Sequence, residues 1–379
     1  MMKRLFGILL VITIAAALLA GCGGKKEEET DVTTTTPPET ETTTEEILRP
    51  DDYTGNMDPL TGIENLPDEA VGKKPVAVMI NNVVNALPQY GVEQAEIMME
   101  MHVEHDLTRM LAIYPDLYNC PDICSVRSCR YYYPIFAAGF DAIYIHWGID
   151  YTYAYDMLWD MDIEHIEVDN ESYIDKGYIS RDRDRLNEGY AWEHTSEVHG
   201  GAFPEFFEEK GINIEATKTG TAFQFNEYGK DVVPAERECT YIDVQYGSQS
   251  SQFEYDPESG LYKKYHCYNE HIDGRTGNQL TFTNVIVLET YVGYLSDDYH
   301  RYIDWQGGDG ATGYYCSKGG MQKIYWEKED EYARIKLYDE NGVEIKLNTG
   351  KTFIAINRPD DTYFEPEIEN EEEGEEDNE

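Results

Sequence analysis

The sequence predicts an α+β protein, with a mixed α/β N-terminal domain followed by a mostly β C-terminal domain. Two contrasts carry this prediction. Between residues 75 and 211, apolar runs of strand length alternate with runs compatible with helices. From residue 220 onward the segments become short and β-rich, separated by turns at Asp273-Gly274, Gly307-Gly308, Asn341-Gly342 and Thr349-Gly350. Strands alternating with helices point to a layered α/β unit, and short strands between glycine turns point to a mostly β one. The stretch between the two polar ends, about 300 residues, is too long for one ordinary core and suits two domains.

The first element is a leader. Lys3 and Arg4 precede a continuous apolar run from Leu5 to Ala20, and the run ends in Leu-Ala-Gly-Cys at 19–22. That length, with those flanks, predicts a cleaved signal rather than a spanning helix. The ending resembles a bacterial lipobox, which makes Cys22 the lipidated mature N-terminus. The expected location is therefore the extracytoplasmic face of the cell membrane, with the lipid as the anchor. Residues 23–50 follow as a Lys/Glu, then Thr/Glu/Pro segment with few apolar side chains, too polar to offset its ordering entropy. At the other end, ten of the fifteen residues 365–379 are Asp or Glu. The predicted layout is a lipoprotein signal peptide at 1–21, a disordered tether at 22–54, an N-terminal α+β domain at 55–218, a β-rich C-terminal domain at 219–362 and an acidic disordered tail at 363–379.

Within the folded part, Pro-Val-Ala-Val-Met-Ile at 75–80 reads as a buried strand. Residues 97–114 hold two apolar-rich runs interrupted by His105-Asp106, which predicts a hairpin with a two-residue loop. Val126 to Phe140 is helix-compatible, with Pro134 bending or restarting the helix. Ala142 to Trp147 is a second buried strand. Ser196 to Lys210 reads as a helix capped by Ser196 and ended by Gly211. In the second half, Glu340-Asn341-Gly342 is a hairpin turn signal, and Gly307-Gly308-Asp309-Gly310 reads as a β-turn.

Composition narrows the function. The full chain carries a formal charge of −44, and loss of Lys3 and Arg4 with the leader makes it −46. Such a surface repels nucleic acid and anionic lipid headgroups, so neither nucleic-acid binding nor a polybasic membrane contact is expected. The 31 Tyr and 5 Trp can furnish carbohydrate or peptide platforms as well as core. Besides Cys22 there are six cysteines, Cys120, Cys124, Cys129, Cys239, Cys267 and Cys316. An extracytoplasmic location permits disulfides, without fixing any pairing. The first three lack the spacing of a zinc knuckle, so no metal is assigned, and no cofactor motif is present.

The richest local constellation is the 97–114 hairpin. A two-residue loop at His105-Asp106 sets His102 opposite Arg109 and Glu104 opposite Leu107. Alternation then gathers Glu100, His102, Glu104 and Arg109 on one face, with Met99, Met101, Val103, Met110 and Ala112 on the other. That patch serves equally as a binding or catalytic floor and as a solvated ion-paired face. Arg127 and Arg130, three apart, would be neighbours on a helix and suit an anion or nearby carboxylates. His146 ends an apolar strand, where α/β sheets place ligands. Arg181 and His194 lie in a mixed charged segment. There is no GxSxG, HExxH, P-loop, Rossmann GxGxxG or EF-hand pattern.

These stretches resemble the YerB-like family of bacterial lipoproteins, a family of unknown function, from about residue 55 to 358. The N-terminal pattern is Ala95-Glu96, Glu100, Glu104 and Leu107-Thr108-Arg109, followed by the clearest signature, Val126-Arg127-Ser128-x-Arg130. His146 and Gly148 fit the next strand, and Arg181 and His194 fit a later segment. In the β-rich half, His271-Ile272-Asp273, Asn284-Val285-Ile286-Val287, Gly308-x-Gly310, Trp326 and Gly350-Lys351-Thr352-Phe353 match. This adds His271 and Asp273 as candidate site residues. The chain departs from the family where His105-Asp106 replaces two turn glycines, and at Cys124 and Cys129. The resemblance implies fold and location and assigns no reaction. The expected function is a lipid-anchored envelope protein that binds a cell-wall polymer, peptide or protein partner, with the balance against an enzyme. The alternatives are an envelope hydrolase or transferase acting on wall glycan or peptide, with Glu100 or Glu104 as acid/base, and third, a solute-binding lipoprotein of a transporter.

Overall fold

Strand β1 (Val76–Asn81) lies at the centre of the N-terminal half, all six of its residues buried. In the computed structural model, which describes residues 49–366, β1 pairs antiparallel with β3 (Thr108–Tyr114) and parallel with β5 (Ile143–His146). Strand β2 (Ile97–His102) adds on the far side of β3, and β6 (His165–Glu167) on the far side of β5. The sheet then continues into the second half of the chain. Thr352–Asn357 runs parallel to β2, followed by Asn284–Glu289, Gly307–Ser317, Gly320–Glu327 and Arg237–Glu238. The described part is thus one compact unit built on an 11-stranded mixed sheet that crosses residue 218 unbroken.

Each face of this sheet is covered. A 6-stranded sheet from the C-terminal half contributes Ile242, Val244, Phe253, Tyr262 and Phe282, which pack with Val78, Met98, Met110 and Phe353. On the other face, helix α1 (Tyr132–Gly139) packs Tyr132, Tyr133 and Phe136 with Met99, Met101, Leu111 and Ile354. The N-terminal half is mixed α and β and the C-terminal half mostly β, as the sequence predicts. Among the described residues no cysteine is in a disulfide.

Several local expectations change. The 97–114 hairpin pairs Met101 with Arg109 and His102 with Thr108, so His102 and Arg109 do not face each other. The cause is the turn: Val103 N–H bonds Leu107 O, Leu107 N–H bonds Glu104 O, and His105 takes φ 45°, so the loop is one residue longer than expected. A one-residue slip moves a residue to the opposite face. Arg109 therefore joins Met99 and Met101, while Glu100 and His102 share their face with Met110 and Ala112.

Residues 126–130 are extended, so Arg127 and Arg130 do not share a helix. Helix α1 starts only at Tyr132, with Pro134 in its first turn, where no amide donor is needed. Ser196 opens a strand, Ser196–Val198, and the helix that follows is Phe203–Lys210, ended by Gly211 at φ 67°. Gly307–Gly310 begins a strand with a register shift rather than a turn. Asn341-Gly342 does turn between paired segments, with Ile345 N–H bonding Leu337 O. Thr362–Glu365 is a strand on Tyr241–Gln245, so the polar tail does not start at 363. The leader, Cys22, the tether up to residue 48 and the chain beyond 366 lie outside the described residues.

Candidate functional site

Strands β1 and β5 pair only as far as Val78 and Ile145. Beyond that point the chain leaves the short strand β4 (Ile123–Cys124), and the extended segment Ser125–Cys129 enters between them. Asn81 N–H bonds Ser125 O (2.9 Å) and Arg127 N–H bonds Met79 O (2.9 Å). On the other side Trp147 N–H bonds Arg127 O (3.0 Å) and Cys129 N–H bonds Gly148 O (3.0 Å). Ser128 Oγ donates to Trp147 O, and a Cβ on Gly148, which sits at φ 84°, would lie 2.9 Å from that Oγ. The signature motif is therefore wedged at the carboxyl ends of two parallel strands, the crevice where α/β sheets bind ligands.

One flank of the crevice is an ion group. Arg130 Nε donates to Glu104 Oε1 at 2.6 Å, its Nη2 bonds the same oxygen, and Arg109 Nη2 lies at 3.5 Å. Arg109 also donates to Ser128 O. Burial would raise the Glu104 pKa, but the Arg109 and Arg130 guanidiniums outweigh it and hold the carboxyl below its usual value. Burial, with Arg130 beside it, lowers Arg109 to about 10. His300 closes this flank, with Nδ1 2.6 Å from Asp297 Oδ2 and Nε2 4.0 Å from both Glu104 and Asp150.

Arg127 occupies the middle, and it differs from its neighbours. Its Nε is buried without a hydrogen-bond partner, and its guanidinium makes no hydrogen bond or ion pair among the described residues. Burial depresses its pKa, and Glu193 is the leading charge that favours the cation. On the other flank Arg181 is stacked between Trp147 (4.2 Å) and Trp192 (4.5 Å), with Nη1 donating to Trp192 O. His194 is buried beside Asn81, whose Nδ2 lies 2.9 Å from its Nδ1. Arg181 also lines an open groove of about 530 Å³ with Tyr90, Ser180, Arg183, Glu197 and Arg275. In that groove Arg275 pairs with Glu197. Asp122, Glu197 and His199 bring donor atoms within 4.8 Å of one another, but Arg275 already neutralises Glu197, and His199 lies 3.2 Å from Asp122.

The remaining predicted residues are elsewhere. His146 is sealed, its Nδ1 donating to Gly148 O (2.8 Å), and burial lowers it to about 3. Glu100 and His102 lie on the opposite face, under the second sheet. Glu100 accepts from Asn82 Nδ2 (2.7 Å), Thr108 Oγ1 (2.8 Å) and Ser251 Oγ (2.5 Å). Lys264 Nζ donates to Ser251 Oγ (2.9 Å) and His271 Nδ1 (3.0 Å), and His271 Nε2 donates to Gln89 Oε1 (2.8 Å). His102 Nε2 donates to Asn357 Oδ1 (3.0 Å). Burial lowers Lys264 to about 8 and His102 to about 4. All these side chains are buried. Asp273 is also buried, accepting from the Glu93 and Arg275 amides.

The single expected patch is thus two. Glu104, Arg109, Arg127, Arg130 and Arg181 gather along the crevice, whereas Glu100, His102 and His271 belong to an internal network. Sequence reasoning missed Trp147, Trp192 and Glu193 on the first and Ser251 and Lys264 in the second. Alternation was the available signal for Lys264: Tyr262, Lys264 and His266 are buried, and Lys263 between them points outward.

Comparison with known proteins places this geometry. Residues 60–203 match the family described as "Protein of unknown function (DUF3048) N-terminal domain", and 242–354 match its C-terminal domain. The putative lipoprotein YerB of Bacillus subtilis (strain 168) is 25% identical over 320 residues, covering 79% of this chain and 85% of that protein. The crystal structure of the YerB protein from Bacillus subtilis superposes with a TM-score of 0.69 at 24% identity, covering 81% of this chain and 99% of that one. Among the described residues no helix is long and apolar enough to cross a membrane.

Proposed function

The chain belongs to the YerB-like family of bacterial lipoproteins, and from that premise we propose that it is a lipid-anchored protein of the extracytoplasmic face that binds a cell-wall component through an isolated anionic group. The unpaired guanidinium of Arg127 carries this reading. A half-buried cation whose Nε is sealed without a partner has lost hydration that the fold does not replace, and a carboxylate or phosphate seated in the crevice would supply the missing bonds. Arg181 and the exposed ring of Trp192 extend the surface beside it. The overall charge of −44 selects among anions. It repels polyanions at long range, while at physiological salt a single charge feels the crevice within a screening length of about 8 Å. The peptide stems of the wall polymer, with their scattered carboxylates, fit that filter better than a polyphosphate chain does.

The hydrolase reading has less support. Two guanidiniums hold Glu104 below the usual carboxylate range, and Glu100 is buried with both oxygens hydrogen-bonded. The test is calorimetric titration of the mature protein with a disaccharide-peptide wall fragment, with its amidated counterpart and with poly(glycerol phosphate). The free-carboxylate fragment should bind, and Arg127→Ala should weaken it about tenfold or more. Equal binding of the amidated fragment, or no effect of the substitution, rules the site out. Cys22→Ala should release the protein from the membrane.

A further inference from the structure

Helix α2 (Ala154–Asp160) begins close to the crevice and carries an unusual surface. Tyr151, Tyr155 and Trp159, spaced four apart, are 70%, 43% and 79% exposed. Their rings form a ladder: the Tyr151 and Tyr155 centroids are 5.6 Å apart at 33°, and those of Tyr155 and Trp159 are 6.4 Å apart at 12°. These separations exceed the contact distance of fully overlapped rings, so each ring leaves part of a face open. Three large side chains held outward in one row are not explained by packing.

The chain segment that carries the ladder is one-signed in charge. From Tyr131 to Asp175 there is no Lys or Arg, against ten Asp and Glu. Asp156 and Asp160 stand on the same helix, exposed and with no hydrogen bond or ion pair among the described residues. Open aromatic faces beside unpaired carboxylates are the chemistry that holds guanidinium and ammonium groups. From this we propose that the α2 face docks a basic polypeptide segment, its Arg or Lys side chains seated on the Tyr155 and Trp159 rings and paired with Asp156 and Asp160. The same charge argues against the other occupants. An anionic lipid surface is repelled by this face. A second copy would set acid against acid. A neutral glycan could use the rings and would leave the carboxylates without counter-charge.

The experiment titrates the mature protein with hexa-arginine amide and with N-acetylchitotetraose, following tryptophan fluorescence and confirming by calorimetry. Hexa-arginine should bind, and Trp159→Ala with Tyr155→Ala should weaken it about tenfold or more, the scale for removing aromatic anchors. Both residues are exposed, so the double variant should keep the fold, which circular dichroism checks. Glu258→Gln with Glu340→Gln removes two charges elsewhere and should change the affinity less than about twofold. Equal binding by the aromatic double variant would reduce the effect to diffuse charge and overturn the proposal. Binding of the chitotetraose without the peptide would overturn it in favour of a glycan.

Discussion

The β2–β3 hairpin separates two clusters made from the same kinds of side chain. Under the second sheet, Glu100 meets Asn82, Thr108 and Ser251, and Lys264 and His271 complete a buried network in which every one of these groups is bonded, with the neighbouring His102 Nδ1 left over. On the crevice side, Glu104 satisfies Arg130 and Arg109, but Arg127 is left without a partner. The first cluster joins strands from both halves of the chain and has no charge to spare. The second has a cation in surplus at the edge of the sheet. The difference teaches that ionisable residues alone do not mark a site: a cation left without a hydrogen-bonded partner where the sheet opens does. Substitutions in the sealed network should therefore register in stability, and substitutions at Arg127 should register in binding.

The largest effect is expected from Glu100→Ala. It strips the shared acceptor from three buried donors and leaves the Lys264 ammonium beside Ser251 without a nearby anion. Breaking a buried charged group out of such a network costs about 3–5 kcal/mol, which denaturant unfolding would read directly. A loss below about 1 kcal/mol would mean that the network is not a joint between the halves.

A smaller effect comes from Lys264, on which the Phe253 and Phe353 rings also close. Burial lowers its folded pKa from the ordinary lysine value of 10.5 to about 8. Between those values the unfolded chain holds the proton and the folded one has released it. Stability from this group therefore rises with pH across that window, by at most about 1.4 kcal/mol per pH unit, and below pH 8 its cost is fully present. The Lys264→Met variant should lose that slope, read as the difference between wild type and variant from pH 8 to 10. Parallel pH curves would show that Lys264 does not titrate in the folded protein.

How much of this was legible in the sequence follows the range of the forces involved. Local patterns reported well: the β1 run, the strand ending at His146, the Gly211 helix end and the Asn341-Gly342 turn each depend on neighbouring residues. The hairpin register did not. Its tip is held by a distant strand, Arg301–Ile303, with Arg301 N–H bonding Val103 O and Glu104 bridged to His300. No local pattern announces that partner, and a slip of one residue was enough to put Arg109 on the wrong face. The Arg127 segment misled for a related reason. Its apolar spacing suits a helix, but two strands that diverge leave unpaired backbone groups, and Ser125–Cys129 satisfies them only when extended. Arg127, Arg130 and Arg109 were still found, because clustered basic residues stand out in so acidic a chain.

The smallest change in stability is expected where the sequence signature is strongest. Arg109 and Arg127 are both arginines of the crevice, so their alanine variants form a matched pair. Arg109 is buried, bonds Ser128 O and lies against Glu104. Removing it leaves Glu104 with one guanidinium instead of two, and the fold should lose a few kcal/mol, the scale for breaking a buried pair. Arg127 has no bond to lose. Its half-buried guanidinium has lost hydration, which the fields of Glu193 and Glu104 offset in part and that of Arg130 opposes. Arg127→Ala should therefore leave unfolding free energy within about 0.5 kcal/mol of wild type, or raise it slightly, since a half-buried charge without a hydrogen-bonded partner disappears. Arg127→Gln, which keeps bulk and donors while removing the charge, should behave the same way. The measurement is denaturant unfolding of all three variants beside wild type without ligand. A loss of several kcal/mol in both Arg127 variants would mean that its guanidinium is already paired within the fold, and the crevice would then be a second structural joint rather than a site.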